Sequence, residues 1–171
     1  SMTVGENVAL PLVEHTQLDE KIIRMMVKMK LELVGLRGFE DLKPAQISGG
    51  MKKRVGLARA IALDPEIVYY DEPSAGLDPI TAAVIDDLMR DLSQKLEITS
   101  VVVTHHMESA YKIADQIIML HNGRILAEGD VERFKDSKEP LIAQFVRGLA
   151  DGPIPFHMSA DNYIEDLLHV T

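Results

Sequence analysis

Hydrophobic positions along this chain follow two different spacings, and the switches between them mark out the elements. Thr3 and Glu6 have the spacing of a capping box, which opens a helix running to about Ala9 before Pro11 bends or ends it. Ile22, Ile23, Met26, Met29 and Leu33 recur at helical spacing between Asp19, a capping residue type, and Gly35, suited to a left-handed helix end. These side chains face either a core or a partner. After a loop over 36–44, Met51, Val55, Ala58 and Ile61 share one face of a helix over 48–63, which Asp64-Pro65 ends. Val84, Ile85, Leu88, Met89, Leu92 and Leu96 form the stripe of a helix opened by Asp78-Pro79, with proline at its first position. A shorter helix carries Met107, Ala110, Tyr111 and Ala114.

Between these helices lie two short unbroken apolar runs, 67–70 and 100–104, which read as buried strands. Such strands alternating with amphipathic helices predict an α/β fold, a parallel sheet covered on both faces. Segments 116–120 and 124–127 flank Asn122-Gly123, a hairpin signal, and two short helices follow over 131–135 and 141–149. The chain closes on a proline-containing stretch, 151–156, with one more helical turn over 163–170.

Chemistry gathers at the ends of these elements. Ser48-Gly49-Gly50-Met51 begins the 48–63 helix; Ser48 can cap it, and the glycines leave backbone N–H donors uncovered at the positive end of the dipole, which suits a phosphate. The plain alternative is a helix cap and nothing more. Strand 67–70 ends in Asp71-Glu72-Pro73. Asp71 suits Mg²⁺, which favours carboxylate oxygen and keeps part of its water shell. Glu72, turned to the other side, suits a general base for an attacking water. Asp78 can be the N-cap of the next helix, and His105 ends the second strand. Lys52, Lys53, Arg54 and Arg59 read as a solvated face, and His15, His121, His157 and His169 have no metal-ligand spacing.

Composition narrows the function classes. A formal charge of −9 argues against a nucleic-acid surface, and the absence of cysteine excludes disulfides and thiolate metal sites. No apolar run approaches the about 18 residues that a membrane helix needs. No leader pattern precedes the domain, so a cytoplasmic location is the default. Ser1-Met2 reads as a cloning remnant. No G-x-x-x-x-G-K-[ST] loop occurs, and no Gly-Lys pair exists at all, so the sequence is expected to be a fragment of a longer protein.

In this order, the Ser-Gly-Gly helix, the Asp-Glu strand end, the Leu77-Asp78-Pro79 loop and the strand-end His105 resemble the back half of an ABC-type ATPase domain. The resemblance implies the C-terminal part of a P-loop NTPase sheet with an inserted α-helical subdomain, binding ATP and Mg²⁺. It makes Asp71 the metal carboxylate, Glu72 the base, and His105 the switch histidine on the γ-phosphate. Asp78 would lie across a dimer interface near the attacking water. Head-to-tail pairing with a second copy would let Ser48, Gly49, Gly50 and Met51 read a nucleotide held mainly by the partner. His106 departs from the family, many members of which carry Asp there.

Further stretches are similar to ATPase subunits of the Mla phospholipid, or toluene-tolerance, type: Val8-Ala9-Leu10-Pro11-Leu12 with Glu14-His15-Thr16, Val34-Gly35-Leu36-Arg37-Gly38, Asp78-Pro79-Ile80-Thr81, and Gly148-Leu149-Ala150-Asp151-Gly152-Pro153. That similarity implies an integral membrane permease docking on 3–44, a possible small regulatory subunit, and a place on the inner face of the cytoplasmic membrane. The expected division is a signature subdomain over 3–63, the second half of a RecA-like core over 64–130, and C-terminal helices with a tail over 131–171. An ABC ATPase acting on DNA would carry long coiled coils, of which there are none. A non-hydrolysing module that docks on a permease, or an ABC ATPase for another substrate class, is the alternative.

Overall fold

The computed structural model describes residues 1–154, in two compact units: Ser1–Ile113, and a second beginning at Ala114. The 163–170 turn, His157 and His169 lie outside the described residues.

In the first unit, α1 (Val4–His15) opens on the capping box formed by Thr3 and Glu6. It does not end at Pro11, the second of the two outcomes expected there, but continues past it to His15. Proline inside a helix costs about 3 kcal/mol or more. Val4, Val8 and Leu12 fall on one buried stripe, and burying an aliphatic side chain of this kind contributes about 1.5–3 kcal/mol, so the face offsets the break. Thr16 closes the helix, its N–H and its hydroxyl both donating to Leu12 O.

Helix α2 (Glu20–Leu33) follows Asp19, whose side chain makes no capping bond. It ends at the left-handed Gly35: Gly35 N–H donates to Glu32 O and Leu36 N–H to Leu31 O, the paired bonds of a Schellman end. Ile23, Val27 and Leu31 are buried while Ile22, Met25 and Met29 are exposed, so the apolar positions divide between core and surface. Lys30 is buried as well, its ammonium paired with Asp64. A single 3₁₀ turn, Pro44–Gln46, then delivers the chain to α3 (Gly49–Ala60).

Strands β1 (Ile67–Asp71) and β2 (Thr99–Val103) pair in parallel, Ile67 opposite Thr99 and Asp71 opposite Val103. Helix α4 (Pro79–Leu96) connects them, and α5 (Met107–Ile113) follows β2. One core joins α1, α2 and α3 to Val68, Tyr70, Ile85, Met89 and Leu92. The expected cover on both faces is not observed. Val68 and Tyr70 point into the core, whereas Tyr69 is 75% exposed and Val103 59%, with Ile67 and Val101 beside them. Strand alternation puts every second residue on the bare face, and among the described residues no element of this unit lies over it.

The second unit begins with the hairpin β3 (Ile117–His121) and β4 (Arg124–Gly129). Asn122 and Gly123 both have positive φ, 49° and 72°, as a two-residue turn of this twist requires. A bulge beyond Met119 shifts the register, so that Leu120 faces Ile125. Helices α6 (Val131–Lys135) and α7 (Pro140–Arg147) follow, with Phe134 and Ile142 buried. No helix among the described residues is long and apolar enough to cross a membrane.

Candidate functional site

The N-terminus of α3 is built as its sequence requires. Ser48 has an extended backbone and its hydroxyl accepts from Met51 N–H at 3.2 Å. That bond occupies the Met51 amide and leaves the Gly49 and Gly50 N–H groups without a described partner. Gly49 lies against the loop that leads into α4 and Gly50 against the first turn of α4. A Cβ on Gly49 would sit 3.8 Å from Leu77 Cδ2, and one on Gly50 only 2.5 Å from Thr81 Cγ2. Gly50 is therefore demanded by packing within the chain as well as by any need for bare donors.

Asp78 caps α4. Its Oδ1 accepts from Ile80 N–H at 3.1 Å and Thr81 N–H at 3.0 Å, and its Oδ2 accepts from the Thr81 hydroxyl at 2.6 Å. The Thr81 hydroxyl bond, reinforced by these backbone donors, holds the Asp78 carboxyl below its ordinary value. The simplest sequence reading of Asp78, a helix cap, describes what the side chain does within this chain.

Asp71 ends β1 on the bare face, and among the described residues its carboxylate has no hydrogen-bond partner. It lines a pocket of about 190 Å³ with Lys53, Tyr69, Tyr70 and Pro73. One accessible carboxylate beside open space fits Mg²⁺, which takes one or two protein carboxylates and fills its shell with phosphate and water. A closed all-protein cage is not the donor set here: no group of three or more His, Asp or Glu side chains among the described residues is placed to hold an ion.

Glu72 follows in an uncommon backbone state, φ 44°. For a residue other than glycine this costs on the order of 1–3 kcal/mol and persists only where surrounding contacts enforce it. The contacts are present. Glu72 N–H donates to Val103 O at 2.9 Å, extending the β1–β2 ladder by one bond. Its carbonyl accepts from Ala75 N–H and from Lys53 Nζ, each at 3.2 Å. Its carboxylate reaches His105: Oε1 accepts from His105 N–H at 3.0 Å and lies 2.7 Å from His105 Nδ1.

The His105 ring bond holds the Glu72 carboxyl below its ordinary value, partial burial pushes the other way, and the His105 N–H and the nearby imidazoles add to the lowering. Glu72 is thus a charged acceptor with one oxygen engaged. Its Oε2 has only Thr104 Oγ1 nearby, at 3.5 Å. His105, its Nδ1 occupied, keeps Nε2 without a described partner. His106 stacks obliquely on His105, centroids 4.8 Å apart, and its N–H donates to Thr104 Oγ1.

The candidate residues thus form two neighbouring contacts: Ser48 to Met51 against Leu77 to Thr81, and Glu72 against His105. Asp71 stands on the other side of the strand end. Two partners went unseen in the sequence. Lys53 was grouped with the solvated cations of α3, yet it bonds to the Glu72 carbonyl, and Arg54 reaches Val34 O and Gly35 O at 3.4 Å. Helical phase offered a signal, since Lys53 and Arg54 lie four residues before the buried Leu57 and Ala58.

The ABC transporter family model matches residues 1–75. The MlaF protein of Haemophilus influenzae, described as an intermembrane phospholipid transport system ATP-binding protein, is 45% identical over 162 residues, covering 95% of this chain and 61% of that protein. The mkl protein of Mycobacterium leprae, described as a probable ribonucleotide transport ATP-binding protein, is 44% identical over 154 residues, 90% of this chain and 44% of that one. The chain therefore spans about three fifths of the first of these relatives and less than half of the second. Among solved structures, the dimeric ATP-binding cassette MJ0796 bound to ADP and Pi matches with a TM-score of 0.66 at 34% identity, over 76% of this chain and 57% of that chain. The parallel pair β1–β2 with its flanking helices is part of that cassette fold. Its motif residues lie on adjoining loops of one such unit, and nearly its whole length is similar to ATP-binding proteins of ABC transporters.

Proposed function

We propose that the full-length protein is the ATP-hydrolysing subunit of a phospholipid transporter, and that this chain carries the complementary half of its composite site. The observation that supports hydrolysis is Glu72, a charged carboxylate fixed at a strand end with one oxygen on His105 and the other held only by a long contact to Thr104 Oγ1. In this reading Glu72 orients and deprotonates the attacking water, a role worth about 10²–10⁴-fold in rate. His105 turns its other ring nitrogen, Nε2, to the phosphate oxygens. Ser48, Gly49, Gly50 and Met51 present the α3 N-terminus to the γ-phosphate of a nucleotide held mainly by a second copy. Asp71 holds the metal, and Asp78 keeps the connecting loop in place at the interface. Bound Mg-ATP supplies the phosphoryl group and the charge that these residues position.

No G-x-x-x-x-G-K-[ST] loop occurs in these residues, so in this reading the chain alone does not turn over ATP. The division into a signature subdomain (3–63), core (64–130) and C-terminal helices (131–171) follows the same reading. A membrane permease docks on 3–44, where Ile22, Met25 and Met29 are exposed, a small regulatory subunit joins the complex, and the assembly sits on the inner face of the cytoplasmic membrane. The phospholipid substrate rests on the likeness to MlaF. The similar identity to mkl favours a second reading, a ribonucleotide substrate.

The test is reconstitution of the full-length ATPase with its permease in vesicles holding a fluorescent phospholipid. ATP-dependent lipid movement is expected. ATP turnover without lipid movement, answering instead to added ribonucleotide, would replace the substrate assignment.

A further inference from the structure

We infer that Lys53 is a positioning residue for Glu72, tying the phosphate-facing end of α3 to the catalytic strand end of the same chain; this rests on the reading of Glu72 as the base. Of the four cations on α3, Lys52 and Arg59 are exposed and Arg54 is spent on the carbonyls that end α2. Lys53 is half-buried and its ammonium donates to Glu72 O at 3.2 Å. That carbonyl belongs to a residue in the left-handed region, whose carboxylate direction depends on backbone torsions with no regular ladder beyond its own N–H to fix them. The carbonyl's other donor is Ala75 N–H, inside the same short turn, so it moves with the turn. Lys53 is the anchor from outside.

Its position gives the anchor a further consequence. Lys53 lies little more than one helical turn beyond Ser48, on a helix whose first turn packs against Leu77 and Thr81. A shift of α3, as when its N-terminus engages an anion, is delivered to the Glu72 backbone through one charge-assisted bond. Loss of the bond frees the Glu72–Pro73 unit to rotate, and the carboxylate leaves its setting against His105.

The experiment compares full-length wild type with Lys53→Met, which keeps the stem and removes the donor, Lys53→Gln, and Lys53→Arg, which keeps a cation. In Lys53→Met and Lys53→Gln, kcat for ATP is expected to fall about tenfold with KM changed by less than about twofold, while Lys53→Arg recovers most of the loss. In the same proteins without nucleotide, amide hydrogen exchange over 72–77 is expected to quicken about tenfold in the first two variants and not in the third, the rest of α3 and β1 keeping its protection. Unchanged kcat and exchange in Lys53→Met would overturn the inference. So would a rise in KM at constant kcat, which would make Lys53 a nucleotide contact, and so would exchange that quickens throughout α3 and β1. A wild type that fails to turn over ATP would remove the proposed function, and the exchange data would still decide whether Lys53 anchors Glu72.

Discussion

Replacing Glu72 with Gln in the full-length protein is expected to slow ATP hydrolysis by about 10²–10⁴-fold while leaving ATP binding in place. The amide keeps the length and most of the shape of the side chain, and its oxygen can still accept from His105 N–H, as Oε1 does now at 3.0 Å. It cannot take a proton from water. The change therefore removes the chemistry and spares the scaffold, and the loss should fall on kcat. Steady-state turnover beside an equilibrium nucleotide titration separates the two. Retained turnover in Glu72→Gln would take Glu72 out of the base role and pass that role to another acceptor.

Replacing Gly50 with Ala is expected to destabilise the first unit, and the size follows from two opposing effects. Alanine favours a helix over glycine by about 1 kcal/mol. Against that, its Cβ would stand 2.5 Å from Thr81 Cγ2. Thr81 cannot easily rotate away, because its hydroxyl is held on Asp78 Oδ2 at 2.6 Å and its N–H on Oδ1 at 3.0 Å. Overpacking of this kind costs about 1–3 kcal/mol, so set against the helix gain a net loss of up to about 2 kcal/mol remains. Thr81→Ser removes the offending methyl and keeps the hydroxyl. The Gly50→Ala/Thr81→Ser pair should recover the loss, a coupling that thermal or denaturant unfolding of the four proteins would measure. Strict additivity would mean that the α3 N-terminus and the 77–81 loop do not press on each other.

The sequence was legible where local chemistry decides. The Thr3–Glu6 box and the Ser48 and Asp78 caps rest on side chains within a few residues of the backbone groups they satisfy, and the Gly35 helix end and the Asn122-Gly123 turn on local backbone torsions. It was misleading at Pro11, where a local cost is outweighed by burial of Val8 and Leu12 against other helices. The apolar runs of β1 and β2 implied cover on both faces, but a period of two shows which residues share a face and not which face is packed. The contacts least visible in advance are distant in sequence: Lys30 with Asp64, and Lys53 with Glu72. The left-handed backbone of Glu72 was hidden for a related reason. Nothing about a glutamate announces it, and only the bonds to Val103, Lys53 and His105 show what holds it there.

The measurement that reaches furthest is a calorimetric titration of Mg-ATP into this chain and, in parallel, into the full-length protein. Binding by the full-length protein with no measurable heat from this chain is the expected result, because Ser48, Asp71, Glu72 and His105 then complement a nucleotide held elsewhere. Tight binding by this chain alone would contradict it, and would mean that the main phosphate contacts lie within these 171 residues.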